Sequence, residues 1–340
     1  MKKILIVSLL AIVGCSQPKK AEDSTTEESK ELNLYSQRHY DADKKVFDLF
    51  TQETGIKINL IRAGADELIT RMEQEGENSP ADVFFTVDAA RLNRAKQKGL
   101  LQPIEVATNL AFSDPEKYWH GVTYRARVIA YDKEEVSVED LSTYEDLADE
   151  KWLGKILIRS SSSGYNQSLL ASMLYASDEE QTEAWATAIV KNMARSPEGG
   201  DRDQVKAIAA GIGTIAITNT YYVGLLLNSA NPEEVKVGES VGIFFPNQEG
   251  RGTHVNVSGI GVTKNAPNKP NAIKFIEYVT SEKIQEIYAN ESFEYPVNPD
   301  VAPHPSVVAW GEFKADRLGF AEDISYTDNA VRIFDRAGWE

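Results

Sequence analysis

The sequence predicts an α/β protein of two domains with mainly parallel sheets. Three observations lead there. Short apolar runs of strand character alternate with helix-patterned runs along the whole body of the chain. That body, about 310 of the 340 residues, is too long for one ordinary hydrophobic core. Several strand-like runs also end in turn-forming residues and give directly onto a helix that begins with tyrosine.

The chain opens with Lys2 and Lys3, the apolar run ILIVSLLAIV, and Gly14-Cys15. This is the pattern of a secretory signal, and its apolar stretch is short for a membrane-spanning helix. IVGC resembles a bacterial lipobox, in which the cysteine is diacylated and becomes the mature N-terminus. Cys15 is the single cysteine, so no disulfide can form within the chain, and a lipid anchor accounts for the one thiol. Residues 1–14 are read as a signal peptide and 15–31 as a lipidated cysteine with a disordered tether. The segment SQPKKAEDSTTEESK is polar, charged and free of aromatics.

The body then alternates. Strand candidates are LNLYS, GIKINLIRA, ADVFFTV, ARVIAYD, KILIRS, TIAITN, VGIFFP and VSGIGVT. Helix candidates are DADKKVFDLFTQET, ADELITRMEQEG, AARLNRAKQKGLL, STYEDLADEKW, NQSLLASMLYA, EEQTEAWATAIVKNM, DRDQVKAIAAG, the long run KPNAIKFIEYVTSEKIQEIYA, and a segment around WGEFKADRLG. Apolar spacings of three and four support several of these, as with Val46, Phe47 and Phe50. Pro270 sits just inside a helix start. Tyr124–Asp132 and Arg251–Thr263 lie between the blocks and suit strands crossing between two lobes, or ordinary sheet strands.

Composition narrows the function. A net charge of −16 argues against nucleic acid as a partner. It suits cationic ligands, and it is also ordinary for a soluble protein. There is no HExxH, GxSxG or P-loop, so no catalytic motif supports an enzyme. His120, His254 and His304 lack the paired spacing of a zinc site. Asp82, Asp88 and Asp132 stand near strand ends, and Asp88 reads as a helix cap.

The tyrosines carry more information. Tyr221-Tyr222 follows GIGTIAITNT and precedes VGLLL, at the end of a strand and the start of a helix. ELNLYS runs through QRHYD into VFDLF, which places His39 and Tyr40 in the same way. KILIRS runs through SSSGYNQ into SLLASMLYA, which places Tyr165. In open α/β sheets, ligands bind beyond the C-terminal ends of strands, and a helix N-terminus favours negative charge. Adjacent side chains in a strand would diverge, an objection that weakens at a strand-to-helix turn. Four phenols converging on one cleft suit a hard trivalent cation. A free phenol titrates near about 10, but a bound cation deprotonates its ligands well below that. Three phenolates neutralise a trivalent ion, and a fourth leaves a negative charge that Arg125 or Arg127 can offset. Both arginines stand on one face if the segment is a strand. His39 is either a further donor or a group beside the ligands.

These segments, with NLYSQRHYDADKKVFDLF, RARVIAYD, ITNTYYVG and VSGIGVTKNAPNKPNAIKFIEYVTSE, resemble the ferric-iron-binding, substrate-binding proteins of ABC transporters. The likeness covers nearly all of Leu32–Trp339 and is closer to the cyanobacterial-type iron-binding branch. It implies a bilobal type II periplasmic-binding-protein fold, two α/β lobes joined by hinge strands. Lobe 1 would comprise 32–127 and 252–300, and lobe 2 would comprise 128–251 and 301–340. The resemblance implies Tyr40, Tyr165, Tyr221 and Tyr222 as ligands of Fe(III), the transported cargo, with a synergistic anion beside it. His39 binds metal in some members, and Arg125 or Arg127 matches an arginine facing the site. One departure stands out: Val223-Gly224-Leu225-Leu226 occupies the stretch where related chains carry an arginine. The implied partners are a permease with its ATPase, and a membrane through the lipid anchor. The protein is expected to be an extracytoplasmic monomer, in the periplasm or at the cell surface. The competing reading is a binding protein of the same fold for an oxyanion or other small solute. Hydroxyls and N–H groups of Ser160–Gly164 would cradle the anion, although phenolates would repel it.

Overall fold

The computed structural model describes residues 29–107, 109–317 and 325–340. The leader and Cys15 lie outside the described residues. The chain first builds β1 (Glu31–Ser36), α1 (Asp41–Thr54), β2 (Lys57–Arg62), α2 (Ala65–Glu75), β3 (Val83–Thr86), α3 (Ala89–Gln97) and β4 (Leu101–Gln102). The long strand β5 (His120–Asp132) leads into a second lobe. There follow β6 (Ile156–Leu157), α4 (Gly164–Ala176), α5 (Glu179–Asn192), α6 (Asp201–Ala209), β7 (Ile215–Asn219), α7 (Thr220–Leu227), α8 (Pro232–Ser240) and β8 (Val241–Phe244). The chain returns through β9 (Val255–Thr263), α9 (Lys269–Val279), α10 (Glu282–Ser292) and β10 (Tyr295–Pro296). It finishes with α11 (Pro305–Val308) and α12 (Ser325–Ala337), the latter packed on α4 and α5 of the second lobe.

The strand order is β2-β1-β3-β9-β5-β7-β6. β5 belongs to both lobes: through Ala126 it pairs with β9, and from Arg127 onward it pairs with β7. The returning chain runs alongside, and the Arg127 amide donates to the His254 carbonyl at 2.8 Å. The Tyr144 hydroxyl ties both passages together, donating to the Arg127 carbonyl and accepting from the His254 amide. The expectation of mainly parallel sheets is corrected. Only β1–β2, β1–β3 and β6–β7 are parallel among the described pairings, and the others are antiparallel. The reason is topological: a chain that leaves a lobe and returns through the same junction runs antiparallel to itself there.

Each lobe buries apolar side chains on both faces of its sheet. In the first, Phe47, Phe50 and Phe275 pack on one face and Phe84, Leu92 and Trp119 on the other. In the second, Trp152, Trp185, Ile333 and Phe334 cover one face and Val205, Ile208, Val223 and Leu226 the opposite one. β9 is buried along its whole length, which fits its mixed run of Val, Ile and small residues. Three helix readings change. STYEDLADEKW forms two short 3-10 turns, interrupted where the Asp149 side chain accepts from the Lys151 amide. The run 269–289 is two helices, broken at Thr280-Ser281. WGEFKADRLG is not helical over 311–317, and the last helix begins at Ser325. Helix α8, which the sequence did not suggest, starts with Pro232 behind an Asn231 cap. Among the described residues no helix is long and apolar enough to cross a membrane.

Candidate metal centre

All four tyrosines singled out in the sequence stand at helix beginnings, and all four line one cleft of about 450 Å³ between the lobes. Tyr40 is the N-cap residue of α1, with extended backbone, and its amide donates to Asp43. Tyr165 is the second residue of α4. Tyr221 and Tyr222 open α7 directly from β7, so the helix turn rather than the strand sets their directions. Their rings lie 4.0 Å apart, tilted by 31°. Tyr40 meets the Tyr221 ring edge-on at 5.9 Å. Across the cleft, the Tyr40 and Tyr165 hydroxyls are 3.3 Å apart. Phenols from α1 of one lobe and from α4 and α7 of the other thus share one small volume. Among the described residues no three His, Cys, Asp or Glu side chains gather as a metal group.

The electrostatics favour the protonated form of Tyr40, Tyr221 and Tyr222. Burial pushes the Tyr40, Tyr221 and Tyr222 hydroxyls well above the ordinary phenol range, and repulsion from Tyr165 adds to it. Arg125 works in the opposite direction on Tyr40 and Tyr221. Deprotonated phenols packed this closely repel one another, and only a positive ion among them reverses the balance.

Behind the rings lie two buried guanidinium networks, one per lobe, both reached by the crossing strand. Arg125 and Arg127 share a face of β5 and are fully buried. Both guanidinium carbons lie close to the Tyr165 ring, at 5.8 and 5.9 Å respectively, and Arg125 is also 5.8 Å from Tyr221. Arg125 pairs with Glu294 and donates to Ser258 and to the Val87 carbonyl. Arg127 pairs with Asp201 and donates to Asn166, the residue after Tyr165, at 2.6 Å.

Sequence reasoning missed several members of these networks. Arg38 lies 4.6 Å from the Tyr40 ring and pairs with Asp43 at 2.9 Å and Glu294 at 3.4 Å. Burial alone would raise the Glu294 carboxyl, but Arg125 and Arg38 beside it bring it below its ordinary value. Arg159 reaches Asp201 at 2.8 Å and lines the cleft. Arg38 stands two residues before Tyr40 and Arg159 ends a strand run, so both carried a local signal. Glu294 carried none: it follows Phe293, held in the left-handed region with φ 55°.

The other candidates have separate roles. His39 is exposed at the cleft rim beside Tyr40, with ring centroids 5.3 Å apart. Asp88 caps α3, accepting from the Ala90 amide at 2.9 Å, as expected. Asp82 accepts from the Asn33 and Asn268 amides, and Asp132 from the Glu134 amide. His120 and His254 are buried away from one another in the chain's two crossing segments, and burial lowers the His254 imidazole to about 3. His304 caps α11.

Known proteins resemble this chain over most of its length. Residues 78–313 match the bacterial extracellular solute-binding protein family. The chain is 48% identical to iron uptake protein A1 of Synechocystis, over 99% of this chain and 95% of that one. Among solved structures, a Trichodesmium IdiA/FutA protein in complex with iron and citrate superposes with a TM-score of 0.84 at 50% identity, covering 91% of this chain and all (100%) of the other. The ferric binding protein of Campylobacter jejuni gives 0.85 at 42% identity, with coverage of 91% and 100%.

Proposed function

Because the chain belongs to the bacterial extracellular solute-binding proteins, we propose that it captures Fe(III) between its lobes and delivers it to an ABC permease and its ATPase. The observation that carries this reading is the meeting of Tyr40 and Tyr165 hydroxyls at 3.3 Å across the cleft, with Tyr221 and Tyr222 packed against them. In this reading all four phenols bind as phenolates. Hard anionic oxygens suit a small, highly charged ion, and the four leave one negative charge in excess over Fe(III). Arg127 and Arg159, sharing the single carboxylate of Asp201, supply one positive charge beside them. Arg125 acts through its field rather than by direct bonds to the phenols, since both its terminal nitrogens donate elsewhere, to Val87, Asn256, Ser258 and Glu294. His39 stays outside the donor set, at the rim. The N-terminus of α4, with Ser162 and Ser163 lining the cleft, leaves room for a synergistic anion beside the iron.

The hinge is the pair of crossing segments, with lobe 1 as 32–127 and 252–300 and lobe 2 as 128–251 and 301–340. The switch of β5 pairing between Ala126 and Arg127 falls one residue before that boundary and supports a crossing at this point. A diacyl anchor on Cys15 would keep the monomer at the membrane surface, near its permease.

The test is a titration with Fe(III) presented as a weak chelate, followed by visible absorption and metal analysis. The expected result is one iron per chain with a phenolate-to-iron absorption band. A colourless protein that takes up phosphate or a phosphonate instead would favour the oxyanion reading and overturn this one.

A further inference from the structure

Arg91 and Gln167 join the lobes at the mouth of the same cleft without touching the phenols' oxygens. Arg91 belongs to α3 in the first lobe, and Gln167 belongs to α4 in the second. The Arg91 Nη2 donates to Gln167 Oε1 at 3.1 Å, and both residues line the cleft. Each side chain rises from a rigid base. Around Arg91, Ala89, Leu92 and Ala95 anchor α3 in the core. Around Gln167, Leu169 and Leu170 anchor α4. The Gln167 amide is also oriented: its Nε2 donates to the Ser161 carbonyl at 3.1 Å, which leaves Oε1 facing Arg91. Arg91 is only 13% exposed at its side chain, and its carboxylate neighbour, Asp66, is 3.5 Å away and half exposed. The guanidinium therefore has its shorter contact across the lobes rather than within its own.

We propose that Arg91 and Gln167 form a clasp that holds the closed state and sets the rate of iron release. The proposal rests on the iron reading above and deepens it. Gln167 stands two residues after Tyr165, so the clasp secures the helix turn that carries a proposed ligand. A contact present in the closed state and lost in the open one raises apparent affinity by the factor by which it favours closure. A hydrogen bond from a charged group, partly exposed, corresponds to about five- to tenfold. Arg91 and Gln167 are positioning residues, because neither meets the metal.

The test is a double-mutant cycle with Arg91→Met, Gln167→Leu and the double variant. Iron release to excess chelator is timed, and the phenolate-to-iron band is recorded. In parallel, spin labels at Lys98→Cys and Tyr175→Cys, in a Cys15→Ser background, report the distance between lobes in iron-free protein. The expected result is release faster by about five- to tenfold in each single variant. The double variant should be no faster than the faster single one, the absorption maximum should not move, and the iron-free label distances should lengthen. Single effects that multiply in the double variant, or release and label distances unchanged from the parent, would overturn the clasp. Absence of any absorption band would instead refute the iron reading, and the label distances would still decide whether the clasp exists.

Discussion

Iron binding at this site should release protons in a countable number. The perturbation is pH, and the magnitude follows from the phenols. Tyr40, Tyr221 and Tyr222 are all held well above the ordinary phenol range by burial and mutual repulsion. In iron-free protein these three hydroxyls are therefore protonated throughout the neutral range. Each must lose its proton to bind as phenolate. Apparent affinity then falls by about three decades per pH unit as pH drops on account of these three, since each linked proton contributes about one decade, or about 1.36 kcal/mol. The sign is opposite for the iron-free fold. A raised phenol pKa contributes nothing below about 10, where folded and unfolded chains are both protonated, and stability is lost only as pH rises past that point. The assay is proton release in weakly buffered solution, with Fe(III) supplied as a chelate of known proton balance. Replacing any one of Tyr40, Tyr221 and Tyr222 by Phe should lower the count by one, whereas His39→Gln should leave it unchanged. A binding reaction that releases no protons near neutral pH, after correction for hydrolysis and chelator, would refute phenolate ligation.

Other expectations concern the scaffold. Glu294→Gln removes the carboxylate shared by two buried arginines, Arg125 and Arg38, and should destabilise the protein by about 3–5 kcal/mol in denaturant unfolding. A loss below about 1 kcal/mol, the scale of an exposed ion pair, would mean that the pairing is not structural. Gly224→Ala would bring a new Cβ to 2.7 Å from the Phe293 Cβ, an overlap that outweighs the gain of about 1 kcal/mol in helix propensity. It should weaken iron binding through displacement of α7, Phe293→Gly, which removes the clashing Cβ at a position with φ 55°, should restore it, and affinity unchanged in Gly224→Ala would contradict the packing. Iron at about a thousand times its dissociation constant should stabilise the fold by about 4 kcal/mol, raising the melting temperature, while a melting temperature unaffected by iron would contradict preferential binding to the folded state.

The metal-binding candidates were legible in the sequence because their signal is local. A strand end, a turn and a helix start fit within about ten residues, so the placement of Tyr40, Tyr165, Tyr221 and Tyr222 could be read from neighbours alone. The same holds for the Asp88 cap. What could not be read is pairing over distance. Arg38 and Glu294 meet from 256 positions apart, and Arg91 meets Gln167 from 76 apart. Nothing near Glu294 announces a buried carboxylate, because the burial comes from the helices around it and from the turn at Phe293. Sheet direction failed for a related reason. Alternating strands and helices read as parallel crossovers, but the local pattern does not reveal that β5 and β9 pass through one junction in opposite senses. The break of 269–289 into two helices was hidden by a continuous apolar rhythm, with Ile276 and Val279 on one side and Ile284 and Tyr288 on the other all buried.

The most direct measurement is anomalous diffraction at the iron absorption edge from crystals grown with Fe(III). A single strong peak should lie in the interlobe cleft, within coordination distance of the hydroxyl oxygens of Tyr40, Tyr165, Tyr221 and Tyr222, and away from the rings of His39 and the guanidinium of Arg125. A peak among surface carboxylates such as Asp66 and Glu67, or a cleft holding an oxyanion with no anomalous signal, would contradict the account.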